Sequence, residues 1–176
     1  MAPWKSRVTI TQDDITAQDD VDAIVNAANE ELRRGGGVCG AIHAAAGPRL
    51  EDLCGNIGHC GTGEAVATPA FDLPCRYVIH AVGPVWGGGG GEAEDELLAS
   101  CYHTSLRIAA DLECKRVAFP SISTGTYAFP VERAARVALA AIGEALEDYP
   151  GIEEVRMVCF SVGDREAYEA ALGDQG

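Results

Sequence analysis

The segment Val21-Asp22-Ala23-Ile24-Val25-Asn26-Ala27-Ala28-Asn29 is typical of a buried strand, and Gly35-Gly36-Gly37-Val38-Cys39 follows it. Beyond the glycines, small apolar residues recur at helical spacing, at positions 38, 41, 42 and 45. A strand that leads through a loop into a helix is the first half of a βα crossover, which joins parallel strands. This segment therefore predicts an α/β fold.

The rest of the chain repeats this alternation. Further β-like runs occupy residues 8–10, 65–67, 77–79, 117–119 and 155–160, and helical patterns occupy residues 92–110, 131–146 and 164–172. Strands separated by helices predict a mixed, mostly parallel sheet covered on both faces. A length of 176 residues predicts one domain over residues 1–176.

The charge balance restricts the partners. The chain has 13 Lys and Arg against 27 Asp and Glu, a formal net charge of −14. An acidic surface disfavours broad contact with a nucleic-acid backbone or an anionic membrane, although an anion can still bind backbone N–H groups in a pocket. Seven cysteines, an odd number in mostly apolar surroundings, are expected to be free thiols, and we expect a cytoplasmic monomer without a membrane partner.

Two loops that follow predicted strands have the composition of anion sites. The glycine loop (residues 35–39) brings backbone N–H groups to a helix N-terminus, which suits a phosphate, although a flexible turn has the same composition. The hydroxyl loop (residues 120–127) surrounds Gly125 with Ser and Thr donors and adds Tyr127. Ligands of parallel sheets bind at the carboxyl ends of strands, so we expect both loops to share one site.

The motifs of nearly the whole chain resemble a macrodomain, the ADP-ribose-binding α/β/α module, and most closely its MacroD-type branch of ADP-ribosyl hydrolases. The matching pieces, besides the opening segment, are Asp14-Ile15-Thr16, Ile42-His43, Ala45-Ala46-Gly47-Pro48, Gly61-Thr62-Gly63, Tyr77-Val78-Ile79-His80, Val82-Gly83-Pro84, Ser123-Thr124-Gly125, Tyr127 and Phe129-Pro130. The resemblance implies a three-layer α/β/α fold with a central mixed sheet.

The resemblance also implies roles for matching positions. Asp14 would accept a hydrogen bond from the adenine amino group beside the backbone of Ile15, Phe160 would stack near the adenine, and Asn29 would bind the distal ribose. The diphosphate would lie between the two loops. The further implied substrate contacts are Asn26, Gly35, Gly36, Gly37, Val38, Ser123, Thr124, Gly125, Thr126 and Tyr127. Asp14 has an alternative interpretation as a turn cap, and Phe160 as a core residue.

Cys39 departs from the MacroD pattern, which places Asp directly after Gly-Gly-Gly-Val. A free thiol ordinarily titrates at about pH 8.5 and is a poor general base at neutral pH. A helix N-terminus can convert a thiol into a nucleophilic thiolate, with His43 one helical turn away; alternatively, Cys39 only lines the pocket. Glu30, Glu31 and Glu64 are acidic candidates for the lost role.

The resemblance implies an enzyme that removes mono-ADP-ribose from modified acidic side chains, or from a related acceptor such as ADP-ribosylated nucleic acid, with water as nucleophile. Alternatives are a non-catalytic reader of ADP-ribose and a hydrolase for O-acetyl-ADP-ribose or ADP-ribose-1″-phosphate. No cofactor is expected. No metal is expected either, since Cys54, His59 and Cys60 do not form a tetrahedral ligand set.

Overall fold

A computed structural model describes residues 2–87 and 90–175. These residues form a six-stranded sheet and five α-helices, together with two short 3-10 turns at Pro3–Arg7 and Ile15–Ala17. The strands are β1 (Val8–Gln12), β2 (Ala23–Ala28), β3 (Ala65–Pro69), β4 (Tyr77–Val82), β5 (Arg116–Phe119) and β6 (Glu154–Cys159). The helices are α1 (Gly37–Ala46), α2 (Pro48–Ile57), α3 (Glu92–Asp111), α4 (Val131–Asp148) and α5 (Val162–Asp174).

The strand order in the sheet is β1-β6-β5-β2-β4-β3. Every neighbouring pair is parallel except β3 and β4, which run antiparallel. The carboxyl ends of five strands therefore lie at the same edge of the sheet, where ligands of α/β proteins bind. The prediction of a mixed, mostly parallel sheet is confirmed.

Helices cover both faces of the sheet. Side chains of successive residues in a strand point to opposite faces. Ala23 and Val25 of β2 accordingly pack with α3, α4 and α5, whereas Ile24 and Ala28 pack with α1 and α2. The three-layer α/β/α architecture is thus confirmed. Within residues 2–87 and 90–175, no helix is both long and apolar enough to cross a membrane.

The predicted elements differ from the structure in two places. Helix α2 was not predicted, because Pro48 directly after Gly47 is typical of a turn and only Leu50 and Cys54 of this helix are buried. The structure instead uses Pro48 in the first helical turn, where its missing N–H costs nothing. Strand β6 ends at Cys159, one residue before the predicted end, and the side chain of Phe160 is 88% exposed rather than part of the core.

Candidate ligand-binding cleft

A cleft of about 320 Å³ opens at the carboxyl ends of β2 and β5. These strands are neighbours, but α1 follows β2 onto one face of the sheet and α4 follows β5 onto the other. The two connections therefore diverge and leave a crevice between them, which is the usual ligand position in open α/β sheets. The cleft is lined by residues 27–29, 35–39, 83, 121–123 and 125–127.

The lining of the cleft carries no Asp, Glu, Lys or Arg side chain. Burial raises the pKa of the Tyr127 phenol, and the nearby carboxylates of Glu31 and Glu30 raise it further, so this hydroxyl stays neutral at physiological pH. The cleft is thus uncharged although the chain has a net charge of −14. Attraction of an anion must come from dipoles rather than from basic side chains.

The glycine loop supplies one row of such dipoles. Helix α1 begins at Gly37, and its first helical hydrogen bond joins the Gly40 N–H to the Gly36 carbonyl at 3.2 Å. In the described chain, no N–H of residues 35–39 donates to a protein acceptor. Gly37 has φ +56°, a conformation that favours glycine. Free N–H groups at a helix N-terminus form an anion site.

The hydroxyl loop supplies a second row on the other wall. Among the residues that the structure describes, no protein group accepts the backbone N–H of residues 123–127. Ser123 has φ +68°, and its buried hydroxyl has no hydrogen-bond partner in the same part of the chain. Gly83 permits this approach, because a Cβ there would lie 2.2 Å from the Ser123 Oγ. Two rows of unpaired donors therefore border one neutral cleft.

Asn29 lies at the β2 end of the cleft, half-buried. Its Nδ2 donates to the Arg33 carbonyl at 2.9 Å, and its Oδ1 accepts the Arg33 N–H at 3.0 Å. These two bonds close the turn after β2 and fix the orientation of the amide. An amide group has two N–H donors and two lone pairs, so one donor and one lone pair remain for a ligand.

Cys39 forms the cleft wall beside Asn29 and is 7% exposed. Its thiol donates to the Arg33 carbonyl at 3.6 Å and accepts the Asn26 Nδ2–H at 3.7 Å. Asn26, a predicted substrate contact, is fully buried behind Cys39 and does not line the cleft. The structure thus places Asn26 where it supports Cys39.

A buried polar row extends from Asn26 across the sheet. Asn26 Nδ2 lies 3.1 Å from His80 Nδ1, and His80 Nε2 lies 2.9 Å from Thr68 Oγ1. If the Asn26 Nδ2 donates, His80 carries its proton on Nε2 and donates it to Thr68. Burial lowers the pKa of His80 to about 3, so the ring is neutral. The polar row (Asn26, His80, Thr68) therefore holds the wall at Cys39 from behind without charge.

A second corner of the same sheet edge holds three predicted residues. Strands β1 and β6 are paired, and the Asp13 N–H donates to the Cys159 carbonyl at 3.2 Å, so Asp14 and Phe160 emerge side by side. Asp14 Oδ1 accepts the Thr16 hydroxyl at 2.7 Å and the Thr16 backbone N–H at 2.9 Å, and these two bonds lower the pKa of Asp14. Asp14 is thus a turn cap, while its Oδ2 has no partner in the described chain. Ile15 is buried, and its N–H is unpaired within the same residues.

The structure therefore divides the predicted contacts into groups. The cleft collects Asn29, Cys39, the glycine loop, Ser123 and residues 125–127, whereas Asp14, Ile15 and Phe160 lie at the β1–β6 corner. Thr124 does not line the cleft, and its hydroxyl donates to the Ser121 hydroxyl at 2.8 Å. The roles of these residues as substrate contacts stay predictions.

Two tyrosines behind the hydroxyl loop, Tyr102 and Tyr168, were missed. Both occur at helical spacing among small apolar residues, a pattern that indicates core packing and contains no information on where a hydroxyl points. For metal ligands, residues 2–87 and 90–175 contain no group of three or more His, Cys, Asp or Glu side chains that could hold an ion.

Comparison with known proteins supports the interpretation of the cleft. The Macro domain family model matches residues 25–138. A macro domain-containing protein of Chlorobaculum tepidum is 55% identical over 86% of this chain and 88% of its own. An O-acetyl-ADP-ribose deacetylase of Shigella flexneri is 47% identical over 98% of both chains.

Solved structures agree with the family match. A mutant of the Oceanobacillus iheyensis macrodomain with ADPR has a TM-score of 0.87 and 40% identity, covering 93% of this chain and 90% of its own. A Trypanosoma brucei macrodomain in complex with ADP-ribose has a TM-score of 0.86 and 35% identity, covering 95% and 69% respectively. With a matching family model over most of its length and full-length relatives at such identity, the chain belongs to the macro domain family.

Proposed function

We propose that the cleft binds ADP-ribose, with the diphosphate between the glycine loop and the hydroxyl loop. The observation that carries this proposal is the pair of unpaired N–H rows bordering a neutral cleft. Backbone dipoles bind an anion without any Lys or Arg side chain. An acidic chain with few basic residues requires a site of this kind. The similarity to macrodomains described with ADPR or ADP-ribose supports the same ligand.

The length of the carboxyl edge matches an extended ligand. Strand β6 separates β1 from β5, and neighbouring strands are about 4.8 Å apart, so the Asp14–Phe160 corner lies roughly 10 Å from the end of β5. This spacing supports adenine at the corner, where Asp14 Oδ2 and the exposed Phe160 ring are available. The distal ribose then lies at Asn29 and Cys39.

We further propose that the protein hydrolyses esters of the distal ribose, removing mono-ADP-ribose from modified acidic side chains. A carboxylate is a good leaving group, so the reaction needs an oriented sugar and a placed water more than a strong base. Asn29, fixed by the Arg33 peptide, orients the ribose, and the diphosphate of the substrate helps to place the water. Cys39 lines the wall, where its thiol donates to the Arg33 carbonyl.

A second candidate substrate is O-acetyl-ADP-ribose. It is favoured by the 47% identity to a protein of that activity in Shigella flexneri. The absence of a lining carboxylate also permits an anionic group such as a 1″-phosphate. Hydrolysis of either of these substrates uses the same diphosphate contacts. A protein that binds ADP-ribose without hydrolysing it also uses them.

The test combines binding with isotope-traced hydrolysis. Calorimetry with ADP-ribose measures binding, and incubation in ¹⁸O-water with Glu-linked mono-ADP-ribosylated protein or with O-acetyl-ADP-ribose measures turnover. With the Glu-linked substrate, label in the released carboxylate indicates attack at the acyl carbon, whereas an unlabelled carboxylate indicates attack at C1″. If ADP-ribose binds but neither substrate is hydrolysed, the hydrolase proposal is overturned and the protein is a non-catalytic ADP-ribose-binding module. Absence of binding would overturn the proposed ligand.

A further inference from the structure

The hydroxyl loop is held from behind by two phenols that do not reach the cleft. Tyr102 of α3 and Tyr168 of α5 are both fully buried. The Tyr168 hydroxyl lies 2.7 Å from the Ser121 Oγ. The Tyr102 hydroxyl accepts the Ile122 N–H at 3.3 Å and donates to the Pro120 carbonyl at 3.4 Å. Two helices from distant parts of the chain thus contact three consecutive residues of this loop.

These contacts determine which loop donors remain free. Tyr102 takes the Ile122 N–H, so the row of unpaired N–H groups starts at the next residue, Ser123. The Ser121 hydroxyl contacts the Tyr168 hydroxyl and also accepts a hydrogen bond from the Thr124 hydroxyl. The second bond connects the start of the loop to its middle. Burial raises the pKa of both tyrosines, to about 12 for Tyr168, so both phenols stay protonated.

The loop needs such support because its conformation is unfavourable by itself. Ser123 adopts φ +68°, which a residue with a side chain rarely does. Five successive N–H groups, those of residues 123–127, also have no protein acceptor among the described residues. The Ser123 and Gly125 carbonyls accept the Phe129 and Ala128 N–H groups, which closes the far end of the loop but leaves its start, residues 120–122, to the two phenols. Conformations of this kind persist where the surrounding structure imposes them.

We infer that Tyr168 and Tyr102 are positioning residues that hold the hydroxyl loop in its diphosphate-binding conformation. This inference rests on the proposed ADP-ribose function. It means that groups outside the cleft keep one of its two walls, the hydroxyl loop, in the conformation that binds the diphosphate. The phenols act through the loop and make no contact with the ligand. The glycine loop has no equivalent contact with either phenol among the described residues, so the effect is confined to one wall.

The test uses Tyr168→Phe, which keeps the ring and removes only the hydroxyl. We expect ADP-ribose affinity by calorimetry to fall about fivefold, the usual effect of one neutral hydrogen bond. In amide NMR with inorganic pyrophosphate, we expect the shift changes of residues 123–127 to decrease while those of residues 35–39 are kept. A general loss of structure would weaken both rows together. Tyr77→Phe, at the opposite edge of the sheet, is the matched control and should bind as the wild type does.

A double-mutant cycle identifies the contact itself. Ser121→Ala removes the Tyr168 bond together with the Thr124 bond, so the loss in the double variant should equal the loss in Ser121→Ala alone. Wild-type affinity in Tyr168→Phe, or equal loss of pyrophosphate response in both loops, would overturn the inference. Additive losses would overturn it as well. If the wild-type protein itself fails to bind ADP-ribose, the proposed function fails, and the free-protein amide shifts of residues 123–127 in Tyr168→Phe still report whether the phenol holds the loop.

Discussion

The two walls of the cleft offer the same chemical groups but obtain them by different means. In the glycine loop, the free N–H groups are those that any α-helix leaves unpaired in its first turn, and glycines let a ligand approach them. In the hydroxyl loop, no helix supplies the donors. They stay free because buried tyrosines and the small Gly83 hold an unfavourable backbone in place.

This difference indicates how each wall responds to change. The glycine loop depends on local structure and on the polar row behind Cys39, so substitutions there should act on the distal ribose end. The hydroxyl loop depends on packing between remote helices, so substitutions outside the cleft should weaken diphosphate binding. Each of the following experiments addresses one side of this comparison.

The largest effect is expected at the distal end of the glycine-loop wall. Asn29→Ala should lower the hydrolysis rate about a hundredfold, because misplacement of a reacting group has effects of this size. Cys39→Ala should lower it less than tenfold, since the thiol only lines the wall. Single-turnover rates with Glu-linked substrate compare the two. Equal and near-complete losses would instead indicate a catalytic thiol.

A smaller effect is expected on the hydroxyl-loop wall from Gly83→Ala. The added Cβ would lie 2.2 Å from Ser123 Oγ and 2.6 Å from Ile122 Cγ2, so the loop must move. Overpacking typically costs 1–3 kcal/mol, and ADP-ribose affinity should therefore fall roughly tenfold to a hundredfold by calorimetry. Gly55→Ala, where a Cβ meets nothing within 4 Å, is the control and should bind normally. Unchanged affinity in Gly83→Ala would show that the loop tolerates displacement.

Asp14→Asn tests the β1–β6 corner, which lies outside the lining of the cleft. The Asn side chain can still accept the Thr16 N–H and keep the turn, but it loses the carboxylate oxygen predicted for the adenine amino group. ADP-ribose affinity should fall about tenfold, within the 1–3 kcal/mol range of a hydrogen bond to a charged group. Affinity for inorganic pyrophosphate should not change. A parallel loss of pyrophosphate binding would place Asp14 in the phosphate site.

The smallest effect is expected on the free energy of unfolding at acidic pH, and it comes from His80 in the polar row behind the glycine loop. Burial lowers the pKa of His80 from 6.5 to about 3, so below pH 6.5 the unfolded chain binds a proton that the folded chain does not. His80 should therefore lower the free energy of unfolding by about 1 kcal/mol between pH 7 and pH 5.5, and His43, whose pKa is also lowered by burial, acts in the same direction. Urea unfolding measures this loss, and NMR should show no titration of the His80 ring in that range. A ring that titrates near pH 6.5 would contradict the burial argument.

Much of the fold followed from local patterns. All six strands were predicted, since buried β-like runs bounded by helical patterns are recognisable without tertiary contacts. Helix α2 was missed because Pro48 directly after Gly47 is typical of a turn and only two residues of this short helix are buried. In the cleft, composition located both loops, but it could not show that Asn26 lies behind the wall or that the Thr124 hydroxyl bonds to Ser121.

The sequence by itself determined the order of βα units, the uncharged composition of the two loops and the helix start at the glycines. These features depend on residues that are close along the chain. Only the tertiary structure decided that β2 and β5 are neighbours whose helices leave on opposite faces, so that the two donor rows border one cleft. It also decided the partners of Tyr102, Tyr168 and His80, because the direction of a buried polar group depends on which remote element packs against it.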